Sequence, residues 1–523
     1  MLFKRNEVLF VVTALFTAIF ALWTTFVDTI GLHGDEAWLG LEGVRVLEHG
    51  FERCYGMDFY SGMLQSSLNA LFFHLFGVSV AVMRSVGIVC NTIALLLMGW
   101  FLFKKTNKKV LLFFAVLISQ SALFLGLSKV AWEVTSFSFF FLSISVIALY
   151  EFCLGVIKRS KPVLFVFLLT TMLAAYSHVI FISLIVGIHV GLVLWVVFDK
   201  RTIDSEIMRC YTATGLSILN TSVALVFAFL YGVNCSLYEC SLFFGGLLGM
   251  LAVQCYFFEQ ISKQFAYMLN KVAKWRFSLI MKLTVLLLLC LSFCKYHLYS
   301  FFRVQSQEVV FNRLFSFQLE YWQHIAFLLV SVIVFLRLSF FLAKDVLVNR
   351  KTPWAYILIA YMGLLAVFTQ GFSIRYYLIL SLLLFIYISY KFSLMSPVYQ
   401  RYWFAFLFIS AGLVQYNMWN LQIEKERDVK AMYFRIGNFG ETSAHFINFE
   451  PVLDSVFKYR VGKINTTETF FIGNVFEFYK KQYPILKNYK NTMRVEYNYE
   501  ETGNGYKITT LSSASNENTN QEN

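Results

Sequence analysis

Long apolar runs separated by short polar gaps constrain this chain more than any other feature. A segment of about 20 apolar residues crosses the hydrocarbon core of a bilayer, and the sequence offers about thirteen such segments. They fall near residues 8–30, 78–103, 110–127, 134–157, 162–177, 180–198 and 210–232, then near 241–262, 277–300, 324–343, 354–371, 375–395 and 402–420. With 58% hydrophobic and only 14% charged residues, the chain holds more apolar surface than a soluble domain can bury. It reads as an all-α polytopic membrane protein. The first run ends at Gly31-Leu32-His33-Gly34 rather than at a small-x-small cleavage site, so it is read as the first transmembrane helix.

The formal charge of +13 would suggest a nucleic-acid partner in a soluble chain, but its distribution makes it a topology signal. Basic residues fill alternate gaps: Lys4-Arg5, Lys104-Lys105 with Lys108-Lys109, Lys158-Arg159 with Lys161, and Lys200-Arg201. The series continues with Lys271, Lys274 and Arg276, then Lys344 with Arg350-Lys351, then Lys391 with Arg401. Lys and Arg beside spans mark the cytoplasmic side. Pro162, Pro353 and Pro397 each stand at the cytoplasmic start of an outward-running span, where the missing N–H costs nothing. The odd span count places the C-terminal segment outside.

In the gap after the first run stand two adjacent carboxylates, Asp35 and Glu36. One reading makes Asp35 a helix N-cap with an acidic first turn, satisfying orphan amides and complementing the dipole. The other makes it a catalytic carboxylate at the membrane surface. The outer loop continues with an expected interfacial helix over 35–48, in which Glu42 and Arg45 can pair one turn apart. A second expected helix, interfacial or partly inserted, covers 60–76.

The order of motifs resembles a family. Gly34-Asp35-Glu36-Ala37-Trp38 is followed by Tyr60-Ser61-Gly62-Met63-Leu64, then by Leu75-Phe76-Gly77-Val78-Ser79 with Arg84 one turn into the next span. Ser128-Lys129-Val130-Ala131-Trp132-Glu133 stands in a later outer turn, and Gly371-Phe372-Ser373-Ile374-Arg375-Tyr376-Tyr377 opens a late span. This set is similar to C-type (GT-C) integral-membrane glycosyltransferases that use polyprenyl-phosphate-linked sugars. That superfamily includes the lipid A aminoarabinose transferase and, more distantly, protein O-mannosyltransferases. One departure stands out: many relatives carry a Lys and a Pro-Pro pair where this chain has Tyr60-Ser61-Gly62-Met63. Another outer cation must then meet the lipid phosphate, from among Lys129, Arg303, Arg313 and Arg375.

The resemblance implies transfer of a sugar from a polyprenyl-phosphate donor to a lipid, glycan or protein acceptor, at an active site outside the cytoplasm in the plasma (inner) membrane. The donor phosphate is already a leaving group. What the protein supplies is a base for the acceptor hydroxyl and cations for the phosphate. Asp35 is the expected base, with inversion at the anomeric centre, and Glu36 its orienting neighbour. Glu133, Lys129, Arg375, Tyr376, Tyr60 and Arg84 are the expected substrate-binding residues. Glu133 reads equally as a helix-start acid paired with Lys129, and Arg84 as a cation snorkelling to the interface. No residue pattern calls for a metal or another cofactor, although a divalent cation is compatible with the chemistry.

The remaining stretches are less specific. Tyr176-Ser177-His178 reads as a tight outer turn, with His178 a polar turn residue or part of a cavity wall. Residues 301–323 read as an amphipathic interfacial helix that the resemblance places beside the donor lipid. Cys235 and Cys240 share an outer loop and can pair in an oxidising compartment. After Asn420 charge and Asn/Gln content rise, which divides the chain into a transmembrane domain over 1–420, a small outer α/β domain over 421–511 and a polar tail over 512–523. Within that domain 467–472 reads as a strand, 475–481 as a helix, and 494–499 with 506–511 as a hairpin. A lipid-linked sugar flippase and a cell-surface polysaccharide ligase or polymerase remain the rival readings. The first should carry charged or polar side chains at mid-bilayer depth.

Overall fold

A computed structural model describes residues 32–53, 56–57, 61–155, 160–199, 205–231, 237–273, 279–311, 319–349, 352–368 and 374–428, and five elements beyond them, 433–439, 442–447, 471–483, 496–499 and 505–509. The first apolar run, Tyr60, Cys235 and Arg313 lie outside the described residues. Every later apolar run coincides with a helix. In chain order, strand β1 (Leu32–His33) leads into α1 (Gly34–His49), α2 (Leu64–Phe76), α3 (Val80–Lys105), α4 (Lys108–Ser119), α5 (Ala122–Leu127) and α6 (Glu133–Cys153). Then come α7 (Lys161–Ser177), α8 (Ile180–Asp199), α9 (Ser205–Tyr231), α10 (Leu237–Tyr256), α11 (Phe258–Ala273), α12 (Leu279–Phe293) and α13 (Tyr299–Gln305). The bundle closes with α14 (Tyr321–Lys344), α15 (Trp354–Phe368), α16 (Tyr377–Ser393) and α17 (Pro397–Asp428).

Among the described residues seven helices are long and apolar enough to cross a membrane, or eight if one bent pair counts as a single span. Two of the expected spans, Lys161–Ser177 and Trp354–Phe368, are shorter apolar helices. Others are broken for local reasons. The run 110–127 divides at Gln120-Ser121, where the Ser121 hydroxyl caps α5 by accepting the Phe124 amide at 3.2 Å. The run 241–262 bends by 76° between α10 and α11, because α11 carries Glu259, Lys263 and Lys271, which cannot continue into hydrocarbon. The run 277–300 instead extends through a π-helical turn to Gln305. Residues 301–305 therefore continue a span and do not open an interfacial helix.

The two helices of the first outer loop form, but α1 is no surface helix. It is buried along Gly34, Glu36, Ala37, Leu39, Gly40, Glu42, Gly43 and Val44, sandwiched between α2 and the C-terminal helix α18 (Phe471–Gln482). Glycines make both approaches possible. A Cβ at Gly43 would stand 2.8 Å from the Asn69 Cβ, and one at Gly40 would overlap the Phe478 ring. The Asn69 amide closes the first contact by donating to the Leu39 carbonyl at 3.3 Å. Glu42 is buried; Arg45 reaches it at 2.9 Å, and the Arg53 Nε donates to it at 3.1 Å.

The described C-terminal strands are β2 (Tyr433–Phe439), β3 (Thr442–Ile447), β4 (Glu496–Tyr499) and β5 (Gly505–Thr509). The sheet has the order β1-β3-β2-β5-β4, antiparallel at each paired edge. Its first strand is thus borrowed from the segment just before α1, in the register Leu32↔Ile447 and His33↔Phe446. Phe471 and Ile472, expected in a strand, begin α18 instead, and α17 runs unbroken past the expected boundary at 420 to Asp428. Helix α18 returns to the bundle: Phe478 packs on Phe73 with centroids 6.0 Å apart, the Gln482 side chain accepts the Val80 amide at 3.2 Å, and Lys481 meets Glu48 at 2.9 Å. The C-terminal segment and Asp35 therefore lie at the same end of the bundle.

Candidate active site

The site is built where α1 starts. Its N-cap is His33, not Asp35. The His33 Nδ1 accepts the Asp35 amide at 3.0 Å, and the His33 amide donates to the Glu36 carboxylate at 3.1 Å, which together make a capping box. Asp35 and Glu36 occupy consecutive positions of the first turn, about 100° apart around the axis. That rotation sends them to different surroundings.

Glu36 turns inward and its oxygens are filled. Arg84 donates to it from Nε at 3.0 Å and from the terminal nitrogen at 2.8 Å, and the Ala131 amide adds a third donor at 2.6 Å. Both partners of the ion pair are 0% exposed. Arg84 therefore does not snorkel; with Glu36 it ties together α1, α3 and the turn between α5 and α6. Asn91 secures the same turn from α3, donating to the carbonyls of Ser128 and Thr135 at 3.4 and 3.1 Å. Lys129 is buried in this turn, and burial, reinforced by the Arg84 charge, pushes its ammonium well below the usual lysine range.

Asp35 turns to the open side. Its carboxylate retains 14% exposure and faces the Arg375 guanidinium at 3.4 Å. Arg375 comes from a 3-10 turn, Ile374–Tyr376, that opens α16. Two aromatic faces hold it, the Trp132 ring at 5.1 Å and the Tyr376 ring at 5.6 Å, contacts that suit a planar guanidinium. Glu133, buried at the first turn of α6, lies within electrostatic reach of Arg375, Asp35 and Ser61. It is with these groups, rather than in an ion pair with Lys129, that the structure places it.

Ser61 and His178 lie beside these groups. The two residues form a β-bridge, and the Ser61 hydroxyl accepts the Met57 amide at 3.1 Å. His178 packs against Tyr376 with ring centroids 5.8 Å apart, and its Nδ1 accepts the Ile180 amide at 3.1 Å. Burial, and after it the Arg375 charge, hold the His178 imidazole well below the usual histidine range. It stays neutral at physiological pH. The expected turn residue caps the end of α7 and lies buried in the turn before α8.

The structure brings together Asp35, Glu133, Arg375 and Tyr376 from residues far apart in the chain. Of the other cations proposed for the phosphate, Arg303 stands apart, paired with Glu308 at 2.9 Å. His33, Ser61 and Trp132 were not expected in the site. The spacing His33-x-x-Glu36 is that of a capping box with an unusual first residue, a signal the preference for Ser, Thr, Asp and Asn obscures. Among the described residues no group of three His, Cys, Asp or Glu side chains is placed to hold a metal ion.

No family model matches the sequence, and no curated protein matches it. Solved structures do match. One is ArnT from Cupriavidus metallidurans bound to undecaprenyl phosphate, at 12% identity and a TM-score of 0.36, over 70% of this chain and 77% of that one. The apo state of the same protein matches at 12% identity and a TM-score of 0.35, over 74% and 78%. The Archaeoglobus fulgidus oligosaccharyltransferase in complex with Zn and sulfate matches at 14% identity and a TM-score of 0.48, over 92% of this chain. This chain spans 59% of that protein's length.

Proposed function

We propose that the chain is an integral-membrane glycosyltransferase that moves a sugar from a polyprenyl-phosphate donor to an acceptor hydroxyl on the outer face of the membrane, with inversion. One observation carries the reading: of two adjacent carboxylates, one is buried and saturated while Asp35 stays open beside a single aromatic-held guanidinium. In the reaction Asp35 takes the acceptor proton as the acceptor oxygen bonds to the anomeric carbon. The bond from that carbon to the phosphate oxygen breaks on the opposite face. Arg375 meets the charge that develops on the departing phosphate, a role for which a bidentate guanidinium is suited. Moving from Asp35 to phosphate, Arg375 would also free the carboxylate to act as a base.

Further features support this reading. A largely apolar cavity, lined by Phe301, Phe327, Leu338 and Phe385 together with Gln305 and Gln307, offers hydrocarbon surface to an isoprenoid chain. The alternating basic gaps support an outer position for Asp35, Glu133, Arg375 and the segment after Asn420. A transporter needs a polar route through the bilayer. Several polar side chains at depth are engaged with one another: Asn220 and Gln254 exchange two 2.8 Å bonds, and Ser217 donates to Thr171 at 2.7 Å. Such pairs join helices.

The test is transfer by purified protein in lipid, with a defined polyprenyl-phosphate sugar, comparing wild type with Asp35→Asn. Loss of transfer with retained donor binding is expected. Near-normal transfer by the variant would refute Asp35 as the base.

A further inference from the structure

We propose that His33 is a positioning residue for Asp35, and that the C-terminal sheet holds His33 in place to do this; the inference rests on Asp35 being the base. Helix N-caps favour Ser, Thr, Asp and Asn, whose short side chains reach the first-turn amides without touching anything else. His33 makes the same cap and does more. Its ring stands edge-on to Trp132, with centroids 4.8 Å apart and planes at 86°. Trp132 is also the ring under Arg375, and Arg375 is the cation facing Asp35. The four side chains therefore close a circuit, His33 to Asp35 to Arg375 to Trp132 and back to His33. Moving one displaces the geometry of the other three.

The chemistry of the ring suits a base. Because Nδ1 accepts the Asp35 amide, the imidazole is neutral and carries its hydrogen on Nε2. The Nδ1 atom lies 3.7 Å from the Asp35 carboxylate and there brings no positive charge to lower its basicity. The backbone of His33 is extended, with φ −83° and ψ 148°, and its pairing with Phe446 of β3 keeps it so. The ring is 3% exposed. A segment more than 400 residues downstream in the chain thereby sets the first turn of the helix that carries Asp35.

Three substitutions separate capping from ring packing. His33→Asn keeps a strong cap and loses the ring; His33→Phe keeps the ring and loses the cap; His33→Gln, a poor cap, serves where Phe reduces accumulation. Each is purified and assayed beside wild type and Asp35→Asn for kcat and for donor KM. Loss of the cap should lower kcat about 10²-fold, the size of effect a misplacement of about 1 Å produces, with donor KM nearly unchanged. The Asn variant should stay within about tenfold of wild type, since it caps as well as any residue. Wild-type kcat in His33→Phe or His33→Gln overturns the inference while Asp35→Asn remains inactive. So does a larger loss in the Asn variant than in the Phe variant, which would make the ring alone important. Failure of both cap-less variants to accumulate, with Asn normal, makes His33 a folding residue and also overturns it. Activity in Asp35→Asn instead removes the base assignment itself, whatever the His33 variants do.

Discussion

Two carboxylate–cation pairs sit at opposite ends of the bundle, and their difference separates structure from chemistry. At the end where α16 finishes, Asp345, 4% exposed, is gripped on both oxygens: Lys391 contacts one and the Tyr387 hydroxyl donates to the other at 2.8 Å. Lys391 also lies near the rings of Phe341, Tyr387 and Tyr390. At the end where α16 starts, Asp35 has a 3.4 Å contact to Arg375 and keeps an open edge. The residue types are nearly the same, so type alone assigns neither role. What differs is whether the carboxylate retains coordination for a ligand. Glu36 repeats the Asp345 pattern one residue away from Asp35, which makes that end hold both kinds of pair.

The largest effect expected on transfer follows from Asp35→Asn. A general base contributes typically about 10²–10⁴-fold, and the amide cannot replace it. Because His33, not Asp35, caps α1, the substitution should leave thermal stability close to wild type. A melt in detergent beside the transfer assay checks both halves. A large fall in melting temperature would place Asp35 with Glu36 and Asp345 among the structural pairs.

Glu36→Gln should act by a different route. Breaking a buried ion pair leaves an uncompensated charge and costs about 3–5 kcal/mol, here on Arg84, which is fully buried. Yield and melting temperature should fall first, and transfer only in proportion to the folded fraction. Single-turnover rates on the folded fraction distinguish this from a chemical role. A defect comparable with that of Asp35→Asn, in protein of normal stability, would return Glu36 to the chemistry.

The next effect in size is that of Arg375→Lys. A lysine keeps the charge but loses the fork and the flat contact with Trp132 and Tyr376. Donor use at subsaturating concentration should fall about tenfold, as for the loss of a charged hydrogen bond of about 1.4 kcal/mol, while kcat at saturation changes less. Unaltered turnover at low donor would remove Arg375 from the phosphate.

These contrasts also show what could be read before the structure. Apolar runs located the helices because spanning length and hydropathy are properties of contiguous residues. The bend after α10 and the break at Ser121 were harder, since each depends on one or two residues inside an apolar stretch. Asp35 and Arg375 were each visible through their motifs, but their 3.4 Å approach joins residues 340 apart. The separate fates of Asp35 and Glu36 were not legible, because adjacency in sequence hides the rotation of a helical turn. His33 was missed because a two-residue strand has no periodicity and histidine is an uncommon cap. The pairing of β1 with β3 lies between distant segments and leaves no mark on either.

The smallest effect on transfer is expected at the Asp345 pair, and it is the control for the whole comparison. Asp345→Asn keeps a side-chain oxygen to accept the Tyr387 hydroxyl but withdraws the charge beside Lys391. Lys391 sits at the end of α16 and retains three aromatic neighbours, so its charge is not left in pure hydrocarbon and its stem can shift toward water. The loss should be about 1–3 kcal/mol, the worth of a hydrogen bond to a charged group, seen as a lower melting temperature. Transfer per folded molecule, and donor KM, should match wild type, because the length of α16 separates Lys391 from Arg375. A kcat defect in well-folded Asp345→Asn protein would show that the two ends are coupled, and that saturation of a carboxylate does not by itself mark it as structural.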